Sequence, residues 1–334
     1  MAASLRGPWG EGPNVVAIGG GHGLAASLRA LRRLSDNLVA VVGVADDGGS
    51  SGRLRAEFAI PPPGDIRMAI AALCDDDAVG RAWSRLLQHR FGGSGELAGH
   101  AVGNLLIAAL WEQTGDIVAG LDYVAALVET RGRVLPTTTV PMQLIAEVMG
   151  ANPAEPEAVL EIQGQANVAR SGGRVLDFRL SPADAPGCVE ALTAIQSADV
   201  VVLGPGSWFT SVLPHLEVAD VRTALAETEA TRVLVLNLQA HTAETAGLSA
   251  CDHLEIIARR YPELRFDVVL ADVRAVPDPG GLETLAHALG AQVRLERLAA
   301  PARAQRIRTA VHSPDLLAAA FASIFDRGRI DPWR

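Results

Sequence analysis

The segment Asn14–Leu34 reads NVVAIGGGHGLAASLRALRRL, and Asn37–Arg55 continues NLVAVVGVADDGGSSGRLR. Asn14–Ile18 is a short apolar run that ends in glycines. Beyond them Leu24, Leu28, Leu31 and Leu34 recur at three and four residues, the period of one helix face. Leu38–Ala45 is a second apolar run. Strand, glycine turn, helix and strand make a βαβ unit, which implies a parallel sheet and a right-handed crossover. Helical patterns then run from Ile66 to Thr130, broken by the glycine-rich Phe91–His100. Val134–Val148, Val159–Ala169 and Arg174–Leu180 alternate in the manner of short antiparallel strands. Strand–helix alternation resumes with Ala198–Gly204, Arg232–Leu238, Phe266–Asp272 and Ala291–Leu298. The expected fold is α/β: a Rossmann-like, mostly parallel sheet with helices on both faces and a small β-rich insertion. Its expected parts are a first α/β portion over 13–130, the insertion over 131–182 as a lid, and 183–327 completing the same sheet.

Composition narrows the function. With 49% hydrophobic and 20% charged residues, the 334-residue chain reads as folded and soluble. A net charge of −9 and 4% aromatics supply neither the basic face nor the stacking platforms that nucleic acid needs. The three cysteines have neither disulfide-framework nor zinc-knuckle spacing. Neither a signal-peptide core nor a membrane-span run is present, so a cytoplasmic protein is expected. The sequence contains no lysine, which removes Walker-type ATPases and lysine Schiff-base chemistry.

In open α/β sheets ligands sit beyond the carboxyl ends of the strands, and the polar, glycine-rich clusters of this chain all fall there or at helix starts. Gly19, Gly20, Gly21, His22 and Gly23 form a turn that either cradles a phosphate at a helix N-terminus or serves chain geometry alone. Asp46 and Asp47 run into Gly48, Gly49, Ser50, Ser51 and Arg53, an anion-friendly segment. The two acids suit a ribose, a Mg²⁺ ion bridging to phosphate, or a turn cap. Gly48–Gly52 also matches the generic GxSxG pattern of hydrolases, but in the wrong place in the fold. Asp65 and Arg67 open a helix after a proline run, and His100 and Asn104 are four residues apart at helical spacing. Gly204, Gly206, Ser207, Thr210 and Ser211 make a second anion-cradle turn, and Asn237, Thr242, Glu244 and Thr245 follow another strand.

The ordered set GGGHG, ADDGGSSGRLR, PPPGDIR, GHAVGNL, GPGSWFTS and NL…ETAG resembles the gluconeogenesis-factor family (YvcK-like). That family is a branch of the superfamily that includes 2-phospho-L-lactate transferase (CofD). The resemblance spans Asn14 to Ala320 and implies a nucleotide-type ligand in the cleft of a Rossmann-like fold. It implies a cytoplasmic UDP-sugar-binding protein required for cell shape and peptidoglycan synthesis on gluconeogenic carbon sources, with no catalytic residue assigned. The implied partners are the nucleotide or UDP-sugar, further copies of the chain and regulators of wall synthesis. The transferase relatives imply the alternative, a Mg²⁺-dependent enzyme on a guanine-nucleotide-linked donor. A nicotinamide dehydrogenase remains a third reading because the βαβ fingerprint is shared. Carried over by position, the implied nucleotide and phosphate set is the residues named above other than Thr242, Glu244 and Thr245, with Asp46 and Asp47 as metal candidates. Two departures stand out: His22 occupies the place of the family's threonine in GGGTG, and Gln239–Thr245 reads QAHTAET where TQPGET is usual.

Overall fold

The computed structural model describes residues 12–238, 245, 247–301 and 311–328. β1 (Val15–Gly19), β2 (Leu38–Val42) and β7 (Val200–Leu203) are buried at every position and run parallel, with β1 in the middle. Runs of valine, leucine and alanine without polar alternation offer no face to water, so they form sheet interiors covered on both sides. β8 (Thr231–Val235), β9 (Val268–Asp272) and β10 (Gln292–Glu296) extend one side, and β3 (Arg133–Pro136) closes the other. The seven-stranded order is β10-β9-β8-β7-β1-β2-β3, parallel throughout.

Thirteen α-helices are described around this sheet. α1 (Gly21–Leu31) joins β1 to β2 and packs on α3 (Gly64–Leu73) and α13 (Pro314–Gly328). α2 (Gly49–Phe58), α3, α4 (Ala78–Gln88), α5 (Val102–Thr114) and α6 (Ile117–Leu127) all lie between β2 and β3. Aspartates set several helix starts: Asp77 accepts Gly80 N–H at 2.6 Å and Asp116 accepts Ala119 N–H at 2.9 Å, each satisfying an otherwise orphaned donor. α8 (Val189–Gln196) leads into β7, α9 (Leu213–Glu217) and α10 (Ala219–Glu227) lead into β8, and α11 (Ala250–Arg260) and α12 (Pro279–Ala288) complete the series.

Between β3 and α8 the chain leaves the sheet as β4 (Gln143–Met149), β5 (Val159–Gln163), α7 (Gln165–Arg170) and β6 (Arg174–Ser181). These strands form a separate antiparallel sheet of order β5-β4-β6. Arg133–Pro136, expected at the start of the insertion, instead pairs with β2. Short apolar runs of four residues do not reveal whether their partner is parallel or antiparallel. Gly49–Phe58, which takes in most of the anion-friendly segment after Asp46 and Asp47, is helical. Gly48, Gly49 and Gly52 depress its intrinsic helix propensity, and tertiary burial of Ser50, Ser51 and Leu54 overrides it.

The topology reverses between β1 and β7: successive crossovers run towards β3 from one and towards β10 from the other. The loops at their carboxyl ends therefore diverge and open a crevice, the usual ligand position in such sheets. They come into tightest contact at Gly23. A Cβ on Gly23 would stand 2.1 Å from Pro205 O and 2.6 Å from its carbonyl carbon, so only glycine lets α1 approach the β7 turn. Gly23→Ala is expected to cost about 1–3 kcal/mol, the range for forced overpacking. A chemical denaturation midpoint equal to that of the parent chain would refute this contact.

Candidate functional site

Four strand ends converge on the crevice. From β1 come Gly19 and the first turn of α1. Gly20 precedes that helix, Gly21 donates its N–H to the Asp65 carboxylate, and His22 is exposed at its first turn. From β2 comes the acidic loop. Asp46 Oδ1 accepts Gly48 N–H at 2.9 Å, an Asx turn that feeds α2, and its Oδ2 faces Ser51 and Gly64. Asp47 Oδ1 accepts Ala166 N–H at 2.8 Å, so this acid reaches the insertion.

Burial and the neighbouring Asp46 raise the Asp65 carboxyl to about 7, against the Gly21 N–H and Arg67. Two carboxyls thus share the floor of the crevice.

Ser50, 2% exposed, is the hub of the next group. Its Oγ receives Asn104 Nδ2 at 3.0 Å and Ala101 N–H at 3.3 Å, and it lies 3.0 Å from His100 Nδ1. A hydroxyl has two lone pairs and one proton. Both lone pairs are taken, so the proton goes to Nδ1 and the ring carries its own proton at Nε2. Burial, with Arg53 and Arg90, lowers the His100 pKa and favours this neutral form; Glu57 opposes it. The arrangement resembles a nucleophile and base, but Ser50 is sealed from any substrate carbonyl. It pins α2 to α5 instead. His100 and Asn104 do meet, though by a different geometry from the expected helical face: α5 begins only at Val102. Asn104 Oδ1 remains buried without a partner.

The expected arginine forks are committed elsewhere. Arg53 donates to Glu96 O at 3.1 Å and Ala98 O at 2.7 Å, holding the glycine-rich loop before α5. Arg67 is buried, donates to Gln88 Oε1 and leaves Nε unpartnered. Desolvation and Arg90 lower its pKa to about 10, with Asp65 and Asp46 opposing.

From β7 comes the second turn. Asn237, beyond β8, accepts Gly206 N–H at 3.1 Å and donates to Gly206 O at 2.7 Å, fixing the turn from both sides. Gly204 donates its N–H to Ile18 O at 2.9 Å. Thr210 Oγ1 donates to Ser207 Oγ at 2.5 Å, and Ser211 lies beside Gly20 and Gly206. The chain then makes one π-helical turn, Trp208–Val212, before α9. Thr245 is buried. Thr242 and Glu244 lie outside the described residues.

His215 carried no expected role, yet it binds the floor of the site together. Its Nε2 is 3.0 Å from Gly19 O and its Nδ1 2.6 Å from Thr137 Oγ1, while Thr137 Oγ1 reaches Val42 O at 3.0 Å. One imidazole thus ties the ends of β1, β2 and β3 to α9. No local signal in the sequence marks it, since Gly19 and Thr137 lie far off in the chain.

A cavity of about 1110 Å³ lies at the amino ends of β1, β7 and β8, among Arg32, Ser35, Asp199, Glu229 and Phe325. Open α/β sheets bind ligands at the opposite ends, and none of the glycine loops reaches it. Among the described residues no group of three or more His, Cys, Asp or Glu side chains is arranged to hold a metal, and no helix is long and apolar enough to cross a membrane.

Two measurements check this geometry. Ser50→Ala strands the Asn104 and Ala101 donors and is expected to cost about 1–3 kcal/mol, against less than about 0.5 for a solvated loop hydroxyl. A denaturant midpoint that moves by the smaller amount would break the hub. The second uses pH. His215, His253 and His312 are all lowered by burial to about 4, so the unfolded chain binds more protons between about 4 and 6.5, and stability falls on acidification through that window. Asp65 has the opposite sign: raised to about 7, it costs stability as pH rises from about 4 to 7. Asp65→Asn should therefore gain stability over the parent chain at pH 8 relative to pH 5. An equal difference at both pH values would mean that the carboxyl is ionised throughout.

The profile of the 2-phospho-L-lactate transferase CofD family matches residues 15–312. A Mycobacterium tuberculosis (strain ATCC 25618 / H37Rv) protein provisionally named a gluconeogenesis factor is 47% identical over 316 residues, covering 94% of this chain and 90% of the relative. The gluconeogenesis factor of Bacillus subtilis (strain 168) is 35% identical over 269 residues, 80% of this chain and 81% of the relative. The crystal structure of a UPF0052-family protein from Bacillus halodurans superposes with a TM-score of 0.80 at 32% identity, covering 94% of this chain and 99% of that one. With these matches to its whole α/β architecture, the chain belongs to the gluconeogenesis-factor family, within the CofD superfamily.

Proposed function

We propose that the crevice between the β1 and β7 loops binds a nucleotide diphosphate-sugar, a UDP-sugar by class, and that the protein is a cytoplasmic regulator of cell shape and peptidoglycan synthesis during gluconeogenic growth. The observation that carries this reading is the facing pair of glycine turns, Gly19–Gly23 and Gly204–Gly206, in contact through Gly23 and Pro205. Their backbone N–H groups and the start of α1 suit a diphosphate. The neighbouring Arg53 and Arg67 are already engaged, so peptide donors carry most of the anion binding. The ordered reaction machinery that turnover would require has no counterpart in Ser50, which is buried, or in His100, to which no acid is hydrogen-bonded among the described residues. On this reading the ligand is sensed, and the proteins that respond are those of wall synthesis.

One observation favours a second reading, a Mg²⁺-dependent transferase acting on a guanine-nucleotide-linked donor. Asp46 and Asp65 lie close enough to raise the latter's pKa, beside the turn that suits phosphate. Mg²⁺ takes one or two carboxylates together with phosphate oxygens, so this pair fits an ion that arrives with the ligand. Asp47, the other metal candidate, is spent on Ala166. When bound, the ion would neutralise phosphate charge. Asp46 and Asp65 would hold it, and Gly21 N–H would keep Asp65 in place.

Thermal shift with UDP-N-acetylglucosamine, GDP, GTP and NAD, each with and without Mg²⁺, separates the readings. Stabilisation by the UDP-sugar is expected, of about 2.7 kcal/mol at a hundredfold excess over Kd. Stabilisation only by GDP or GTP with Mg²⁺ would establish the transferase reading in its place. No response to the UDP-sugar would sink the first.

A further inference from the structure

α7 is a helix without a cap of its own. Its preceding residue, Gly164, provides no side-chain acceptor, and the first-turn donor Ala166 N–H is bonded instead by Asp47 from the loop after β2. The fit is close on both carboxylate oxygens. Gly164 has φ +92°, and a Cβ there would stand 1.8 Å from Asp47 Oδ2. Gly164 in turn donates to Leu144 O at 2.7 Å, which couples the turn to β4. The far side of the insertion is anchored separately. Arg260 of α11 donates to Asp177 and to Phe178 O, its guanidinium covers the Phe178 ring at 4.5 Å, and Phe178 meets Phe209 edge-on at 5.9 Å.

The insertion is therefore held both by Asp47 in the loop after β2 and, at its far side, by Arg260 and by Phe209 of the turn after β7. Asp47 sits between Asp46, on the crevice floor, and the first turn of α2. We infer that Asp47 is a positioning residue: it latches the antiparallel insertion onto the crevice, so that the state of α7 and the shape of the Asp46–Ser51 loop are one coupled equilibrium. The latched form is the binding-competent one. Closing the latch orders the loop, and a ligand that needs the ordered loop tightens the latch, because coupling between two sites is reciprocal. The insertion thereby reports occupancy of the crevice to whatever reads its outer surface. The ligand half of this inference rests on the nucleotide-sugar reading; the coupling between α7 and the loop does not.

Amide hydrogen exchange on the full chain tests the two halves apart. Without ligand, Gly164→Ala drives a Cβ into Asp47 from outside the crevice, and Asp47→Ala removes the acceptor; Asp47→Asn keeps an acceptor oxygen. The first two are expected to raise exchange about tenfold both at 165–170 and at 48–51, the loss of one charge-assisted hydrogen bond, while Asp47→Asn stays within about threefold of the parent. Exchange at 48–51 that does not respond to Gly164→Ala, with the fold retained, would overturn the coupling whatever the ligand is. With UDP-N-acetylglucosamine, protection at 165–170 is expected to rise and Gly164→Ala to weaken binding about tenfold. Binding with unchanged protection at 165–170 would overturn the sensor role alone. Absence of any binding would count against the nucleotide-sugar reading and leave the ligand-free result to decide the latch.

Discussion

The structure depends on one backbone approach, the contact of Gly23 with the Pro205 carbonyl. β1 and β7 are neighbours whose following loops must part to opposite faces of the sheet. If the two turns could not touch, α1 would ride away from β7 and the crevice would lose its floor. Much else follows from holding that seam shut. Ser27 reaches Gly204 O at 3.3 Å, Asn237 clasps Gly206, and His215 draws Gly19 down onto the third strand through Thr137. Each is a polar side chain whose capacity is spent on backbone, which rigidifies the turns before any ligand arrives.

Charge is distributed unusually around this seam. Asp46, Asp47 and Asp65 stand near the turns, while Arg53 and Arg67 bind carbonyl or amide oxygens away from them. A chain without lysine has only arginine for strong cations, and here the guanidinium forks brace loops. Desolvation then acts on Asp65, whose carboxyl is raised to about 7 although it lies at a helix N-terminus that favours its anion.

Most of the sheet was legible because its central strands are unbroken apolar runs, a pattern that buried parallel strands share. β3 was less so, since a four-residue strand carries no sign of its partner. The glycine-rich second loop misled in another way. GGSSGRLR has little helical propensity, and only the buried contacts of Ser50 with His100, Asn104 and Ala101 make it a helix. The same contacts bring His100 and Asn104 together in a way the spacing did not contain: they meet at Ser50, not along one helix face. His215 stayed hidden because its role needs Gly19 and Thr137, which lie far off in the chain. Asp47 was visible as an acid, but its bond to Ala166 spans 119 residues and no local pattern encodes it.

The placement of β7 beside β1 also bears on how the chain is made. β1 gains β2 on one edge within a few tens of residues, but its other edge awaits Val200, and the neighbouring bond from Asn14 N–H to Asp199 spans 185 residues. At ordinary synthesis rates that interval lasts about ten to forty seconds. Throughout it, a strand that ends up fully buried presents an unpaired edge, the template on which strands of other chains add. The two halves of the crevice therefore cannot form in sequence order. The amino-terminal half must wait, with that edge unpaired, for the carboxyl-terminal half to complete it.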